Sequence, residues 1–195
     1  MVAKGFLVER VGAKARRPGT AAVEFALCLP IMFIILFGLW EVGRTVEVQQ
    51  VVWNSAREAA RDASMGQANL QAVATNLTVY LQSAEPSAFG QGHTTSLISP
   101  VYALPANSYG YTCWDNTANR ELFTMAFTDV TTPSVTDPTG MAQLEHYRIT
   151  VSFPYASVGW LPVAQIMTTS RLYVAVDWAC LVDSPFTIAP NLPAQ

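Results

Sequence analysis

The segment RRPGTAAVEFALCLPIMFIILFGLW, residues 16–40, passes from two arginines into an almost unbroken apolar run. Phe25 to Trp40 gives 16 residues without a charge, and Ala21 to Gly43 gives 23 with only Glu24 and Glu41. As a helix, such a run extends about 34 Å, enough to cross a hydrocarbon core of about 30 Å. Pro30 and Gly38 weaken a helix in water but are tolerated in a membrane span, where Pro30 is expected to bend it. One feature resists a purely mechanical reading. Glu24 places a carboxylate near the start of the span, and at a bilayer centre such a group costs roughly 2.5–3.5 kcal/mol.

Outward from this run, the charge is lopsided. The chain has 195 residues and a net charge of −3. Lys4, Arg10, Lys14, Arg16 and Arg17 stand against Glu9 in the leader, whereas the chain from Thr20 onward has 6 arginines, no lysine and 13 acids. A basic stub abutting an apolar span is a cytoplasmic flank. The acidic remainder has no basic patch, which argues against nucleic acid as a partner. Only 13% of residues are charged and the mean hydropathy is +0.25, values that one membrane segment and one ordinary domain together explain. A cleavable secretory signal shares the basic start and apolar core. It requires a small-x-small site afterwards, however, and Glu41-Val42-Gly43-Arg44-Thr45 contains none.

The helical pattern continues past the span. Val42, Val46, Gln49, Trp53, Ala56, Ala60 and Ala63 recur at alternating steps of four and three, a narrow stripe whose alanines are expected to pack on a sheet. Glu58 and Arg61 are spaced to pair. Met65-Gly66 ends this helix of some 45 residues, and a second stretch from about Ala68 to Ala84 places Leu70, Val73, Leu77 and Leu81 on one face before Glu85-Pro86. Strands are predicted near Leu97–Leu104 and at Gly110–Trp114, Glu121–Thr128, Glu145–Tyr155 and Ser170–Val182. Tyr147, Ile149, Val151 and Phe153 share one face; Leu172, Val174, Val176 and Trp178 share another. Turns at Thr132-Pro133 and Asp137-Pro138 join strands, and Pro185, Pro190 and Pro193 mark an irregular tail. The expected fold is α+β: a long N-terminal helix, first transmembrane and then extramembrane, packed on an antiparallel β-sheet.

Gly19-Thr20-Ala21-Ala22-Val23-Glu24-Phe25 resembles a type IV prepilin processing site of the Flp/Tad kind. Such sites are cut after the glycine, and glutamate and an aromatic residue come fifth and sixth. Neither Gly5 nor Gly12 has an acid at that distance. With FGLWEVGR and AREAARDAS following, residues 16 to about 66 are similar to the TadE-like pseudopilins of tight-adherence pili. The resemblance implies a pilin-like minor subunit whose leader, residues 1–19, is removed by a prepilin peptidase. Residues 20–43 would form the transmembrane helix, 44–84 its extramembrane continuation and 85–195 a β-rich outer domain. The N-terminus would be cytoplasmic and the outer domain periplasmic, with incorporation into the pilus as a further step. Implied partners are that peptidase, other pilins and pseudopilins, an inner-membrane platform protein and membrane lipid. Cleavage would leave an amine on Thr20 that the Glu24 carboxylate of a neighbouring subunit could neutralise.

Beyond residue 66 the chain carries no motif of that family. Cys113 and Cys180 are candidates for a disulfide if the outer domain meets an oxidising compartment, the alternative being two buried thiols; Cys28 lies in the span. Tyr109, Tyr111, Trp114 and Trp160 are expected to be buried between sheet and helix rather than to form a binding surface. His93 and His146 lack metal-ligand or catalytic spacing, and Asp177 and Asp183 beside Cys180 read as solvated strand-edge groups. No cofactor, metal or enzymatic activity is expected. Two other classes are an uncut single-pass membrane protein with a ligand-binding outer domain and a secreted module released beyond residue 40.

Overall fold

A computed structural model describes residues 18–90, 92–101, 103–131, 135–158 and 171–181. The basic leader, Pro133, Trp160, Asp183 and the tail prolines lie outside the described residues. The chain divides into two compact units, Met1–Trp40 and Glu41–Gln195, and helix α1 (Pro18–Ser64, 47 residues) contributes to both. In the first unit α1 includes Pro30 and is exposed along nearly its whole length.

In the second unit the helix becomes two-sided. Gly66, at φ +62°, ends it in the left-handed conformation that glycine adopts most cheaply, its N–H donating to the Ala63 carbonyl. Helix α2 (Leu70–Ala84) starts where the Asn69 side chain accepts from the Ala72 N–H and the Asp137 carboxylate accepts from the Leu70 N–H. Two of the unpaired donors at the start of that helix are thereby satisfied. A short helix α3 (Pro86–Phe89) follows.

Five strands then form one antiparallel sheet in chain order: β1 (Thr95–Ile98), β2 (Ser108–Asp115), β3 (Arg120–Asp129), β4 (His146–Pro154) and β5 (Arg171–Ala179). The four later strands fall where they are expected, whereas β1 overlaps only the first two residues of the segment expected near Leu97–Leu104. The alternation of β4 explains the central register: Tyr147, Ile149, Val151 and Phe153 are fully buried and lie opposite Asp129, Phe127, Met125 and, across β5, Leu172. Both helices cover this apolar face. Leu70, Val73, Leu77 and Leu81 of α2 are buried with Cys113 and Phe123, while α1 contributes Val48, Val52, Ala56, Ala59, Ala60 and Ala63. Phe89 meets Phe123 and Phe153 edge-on at 6.3 and 6.2 Å. The Tyr147 hydroxyl, entirely buried, donates to the Ala60 carbonyl and ties the sheet to α1.

Three expectations need correction in whole or in part. The stripe's alanines, Ala56, Ala60 and Ala63, are buried as expected, but its earlier members Val42, Val46 and Trp53 are 61, 46 and 39% exposed, and Val48 and Val52 are buried instead. A repeat of 3.5 residues drifts about 20° per heptad on a straight helix, so a stripe in the core at Ala56–Ala63 has swung out of it by Val42. The second correction is the cysteine pair. Cys113 and Cys180 are free thiols, because Cys113 is in β2 and Cys180 follows β5, with β3 and β4 between them. Three strand spacings amount to about 14 Å, twice the reach of a disulfide. Cys113 instead lies 3.6 Å from the Thr78 hydroxyl, its thiol pushed up in pKa by burial, and the Cys180 thiol donates to the Ser64 carbonyl at 3.6 Å. Last, Tyr109 is 41% exposed and Tyr111 and Trp114 only half-buried, since β2 lies next to the short edge strand β1, which has four residues to cover it.

Candidate functional site

Gly19, Thr20, Glu24 and Phe25 all fall on the first two turns of α1 and all are exposed. A Cβ added to Gly19 would meet nothing within 4 Å, so no packing in the fold requires a glycine at that position. Thr20 and Glu24 are four residues apart and therefore stacked on one face of the helix, with Cβ atoms about 6 Å apart. Phe25 and Val23 are about equally exposed beside them, at 61 and 62%. Downstream, an 18-residue window of the helix has a mean hydropathy of 2.4 with none of it buried, long and apolar enough to cross a membrane. Leu39 and Trp40, 71 and 70% exposed, close the first unit. An aromatic at that depth suits the boundary between hydrocarbon and water.

The second unit opens with a buried polar collar that the spacing of the sequence did not reveal. Glu41 is only 6% exposed, and it accepts from the Tyr155 hydroxyl at 2.5 Å. Burial and that neighbouring carboxylate both raise the Tyr155 pKa, keeping the phenol a donor. One turn on, Arg44 reaches Glu85 at 2.6 Å and Glu47 at 3.3 Å, and also donates to the Ser87 hydroxyl. Desolvation pushes the Glu85 carboxyl up, but the hydrogen bonds from Arg44 and Ser87 outweigh it and leave its pKa below the ordinary value. Arg44 and Glu85 are 15 and 11% exposed, between a surface pair and a buried one. Arg44→Ala is therefore expected to lower the stability of the α+β domain by about 2 kcal/mol, read from denaturant midpoints. Its signal in the sequence was faint: Glu41 and Arg44 are the first charges after the apolar run, and their partners Tyr155 and Glu85 are 114 and 41 residues away.

A second cluster joins two loops. Asp115, fully buried at the end of β2, accepts from the N–H groups of Thr117 and Ala118, lies 2.8 Å from His93 Nδ1 and faces Arg120 at 4.0 Å. His93, read from sequence as unrelated to any site, is a structural partner of this carboxylate. His146 is exposed on β4, and Asp177 pairs with Arg148 at 2.6 Å. Glu58 and Arg61 pair at 2.5 Å, as their spacing predicted. Among the described residues no group of three His, Cys, Asp or Glu side chains is placed to hold a metal ion.

Comparison with known proteins locates the resemblance. Residues 19–61 match the family model described as TadE-like protein, a match that begins at the candidate processing glycine and takes in the AREAAR block. Neither curated proteins nor solved structures yield a match.

Proposed function

We propose that this chain, TadE-like over residues 19–61, is a minor pilin or pseudopilin that is cut after Gly19 by a prepilin peptidase and contributes to assembly of a tight-adherence type IV pilus. The observation that carries this reading is the first two turns of α1, where glycine, glutamate and an aromatic stand exposed in processing register directly before the apolar span. Cleavage removes the basic leader and creates an α-amino group on Thr20, charged near neutral pH. The Glu24 carboxylate of an adjacent subunit neutralises that amine, and since an unpaired charge in lipid is costly, the pair favours addition to a fibre base over a lone subunit. The leader stays in the cytoplasm, the span crosses the inner membrane and the α+β domain faces the periplasm, where companion pilins and the platform protein engage the helix. The work is structural rather than catalytic.

Intact mass and N-terminal sequencing of the protein from its native host's membranes test this directly. The expected mature start is Thr20, with the leader retained in Gly19→Leu and Glu24→Ala variants. A wild-type start at Met1 or Val2, in cells whose peptidase processes other pilins, would overturn the reading in favour of a plain single-pass anchor.

A further inference from the structure

A groove between the outward side of α1 and β5 has side chains that neither the anchor nor the core uses. It is an open cleft of about 520 Å³ lined by Val46, Gln49, Gln50, Trp53, Asn54 and Tyr173. Its size lies within the range of about 300–1,000 Å³ usual for small-ligand sites. Trp53 and Tyr173 are large aromatics left 39 and 62% exposed on opposite walls, one on the helix and one on the strand. The Arg57 guanidinium lies 5.2 Å over the Trp53 ring and holds the indole in place. Three carboxamides share the helical wall with Trp53. None of Gln49, Gln50 and Asn54 hydrogen-bonds through its side chain to another group among the described residues.

From this arrangement we propose that the groove binds a neutral pyranose oligosaccharide. A pyranose ring has an apolar, weakly positive C–H face, which stacks on the negative face of an aromatic ring. Its hydroxyls each donate and accept, matching carboxamides that do the same with one N–H₂ and one carbonyl oxygen. Apart from the Arg57 guanidinium, which is engaged with the Trp53 ring, the described lining has no ionisable group other than the Tyr173 phenol, so the wall does not select a charged ligand by ion pairing. Lipid tails are a poor fit, because three carboxamides facing hydrocarbon would lose water without gaining a partner. A protein helix would cover Val46 and Trp53 but would have to match three fixed amides, whereas sugar hydroxyls rotate to meet them. The proposal is independent of the processing at Gly19.

The test uses the full chain in lipid nanodiscs free of glycoside detergent, titrated calorimetrically with chitotetraose, cellotetraose and maltotetraose. Saturable one-to-one binding of at least one of them is expected. Trp53→Ala and Tyr173→Ala should each weaken it by about tenfold or more, and Trp53→Phe by less, with the melting temperature of Tyr173→Ala unchanged because that side chain is 62% exposed. Preference for the N-acetylated sugar assigns the site to cell-wall glycan, and preference for the glucans to exported polysaccharide. Absence of saturable binding for all three overturns the proposal. So does binding indifferent to both alanine variants, or a Trp53→Ala chain that loses a companion pilin while the wild type takes no sugar.

Discussion

Gly110→Val is expected to unfold the α+β domain. Gly110 sits in β2 directly opposite Ala126 of β3, and a Cβ built on it would lie 2.0 Å from the Met125 carbonyl oxygen and 3.0 Å from the Ala126 Cα. These are backbone atoms in the middle of the sheet, within the eight-pair β2–β3 ladder, and they cannot move without breaking that pairing. Overpacking at sites with some freedom already costs about 1–3 kcal/mol, and a collision with backbone exceeds that range. A loss of about 4 kcal/mol or more from a domain whose total stability is of order 5–15 kcal/mol leaves little folded protein. Gly110→Ala should suffer nearly as much, since the collision is at Cβ. Gly43→Ala is the control: nothing lies within 4 Å of that position, and alanine in a helix interior is stabilising by about 0.5–1 kcal/mol. Urea denaturation of the three purified variants, followed by circular dichroism, separates these outcomes. A Gly110→Ala protein as stable as wild type would refute the close approach of β2 and β3.

Asp115→Ala is expected to be the most damaging loss of a single polar side chain, by about 3–5 kcal/mol. Its carboxylate is fully buried and is held by two backbone N–H groups, by His93 and by Arg120. Removing it strands those donors, and Arg120 Nε is already buried without a hydrogen-bond partner. The same cluster sets a pH dependence. Desolvation raises the Asp115 pKa, but the His93 contact and the Ala118 and Thr117 N–H groups more than offset that, and the folded value lies below the ordinary carboxylate value. A depressed carboxylate contributes stability above its unfolded pKa of about 3.9 and loses it as pH falls through the folded value. Urea midpoints of wild type should therefore fall below about pH 4. Asp115→Asn should start lower at neutral pH and fall less steeply in that acid range. Equal slopes for the two proteins would mean that Asp115 is not held charged by the fold.

The polar clusters divide from the apolar framework in how far they could be read in advance. The period of two in Tyr147–Phe153 and Leu172–Trp178, and the spacing of Leu70, Val73, Leu77 and Leu81, foretold buried faces that the structure has. Side-chain periodicity is a local property, and local pattern is enough to locate an element and its inward side. The Glu41–Tyr155, Arg44–Glu85 and Tyr147–Ala60 contacts span 114, 41 and 87 residues. No spacing rule reaches that far. The same limit explains the cysteines: that Cys113 and Cys180 belong to strand segments of the domain was legible, but the two strands between them follow from sheet order alone.

By itself, the amino-acid sequence determined that a long apolar helix precedes an antiparallel α+β domain, and that its first turns present Gly19, Glu24 and Phe25 in one register. Charge, hydropathy and helical spacing are additive along the chain and need no knowledge of what packs where. Only the tertiary structure decided which side of α1 faces the sheet beyond the span. That choice depends on a drift of some tens of degrees accumulated over three heptads and on the position of β4 and β5 beneath the helix. Their packing buries Val48 and Val52, seats Glu41 against Tyr155 and leaves Val46, Trp53 and Tyr173 around an open groove.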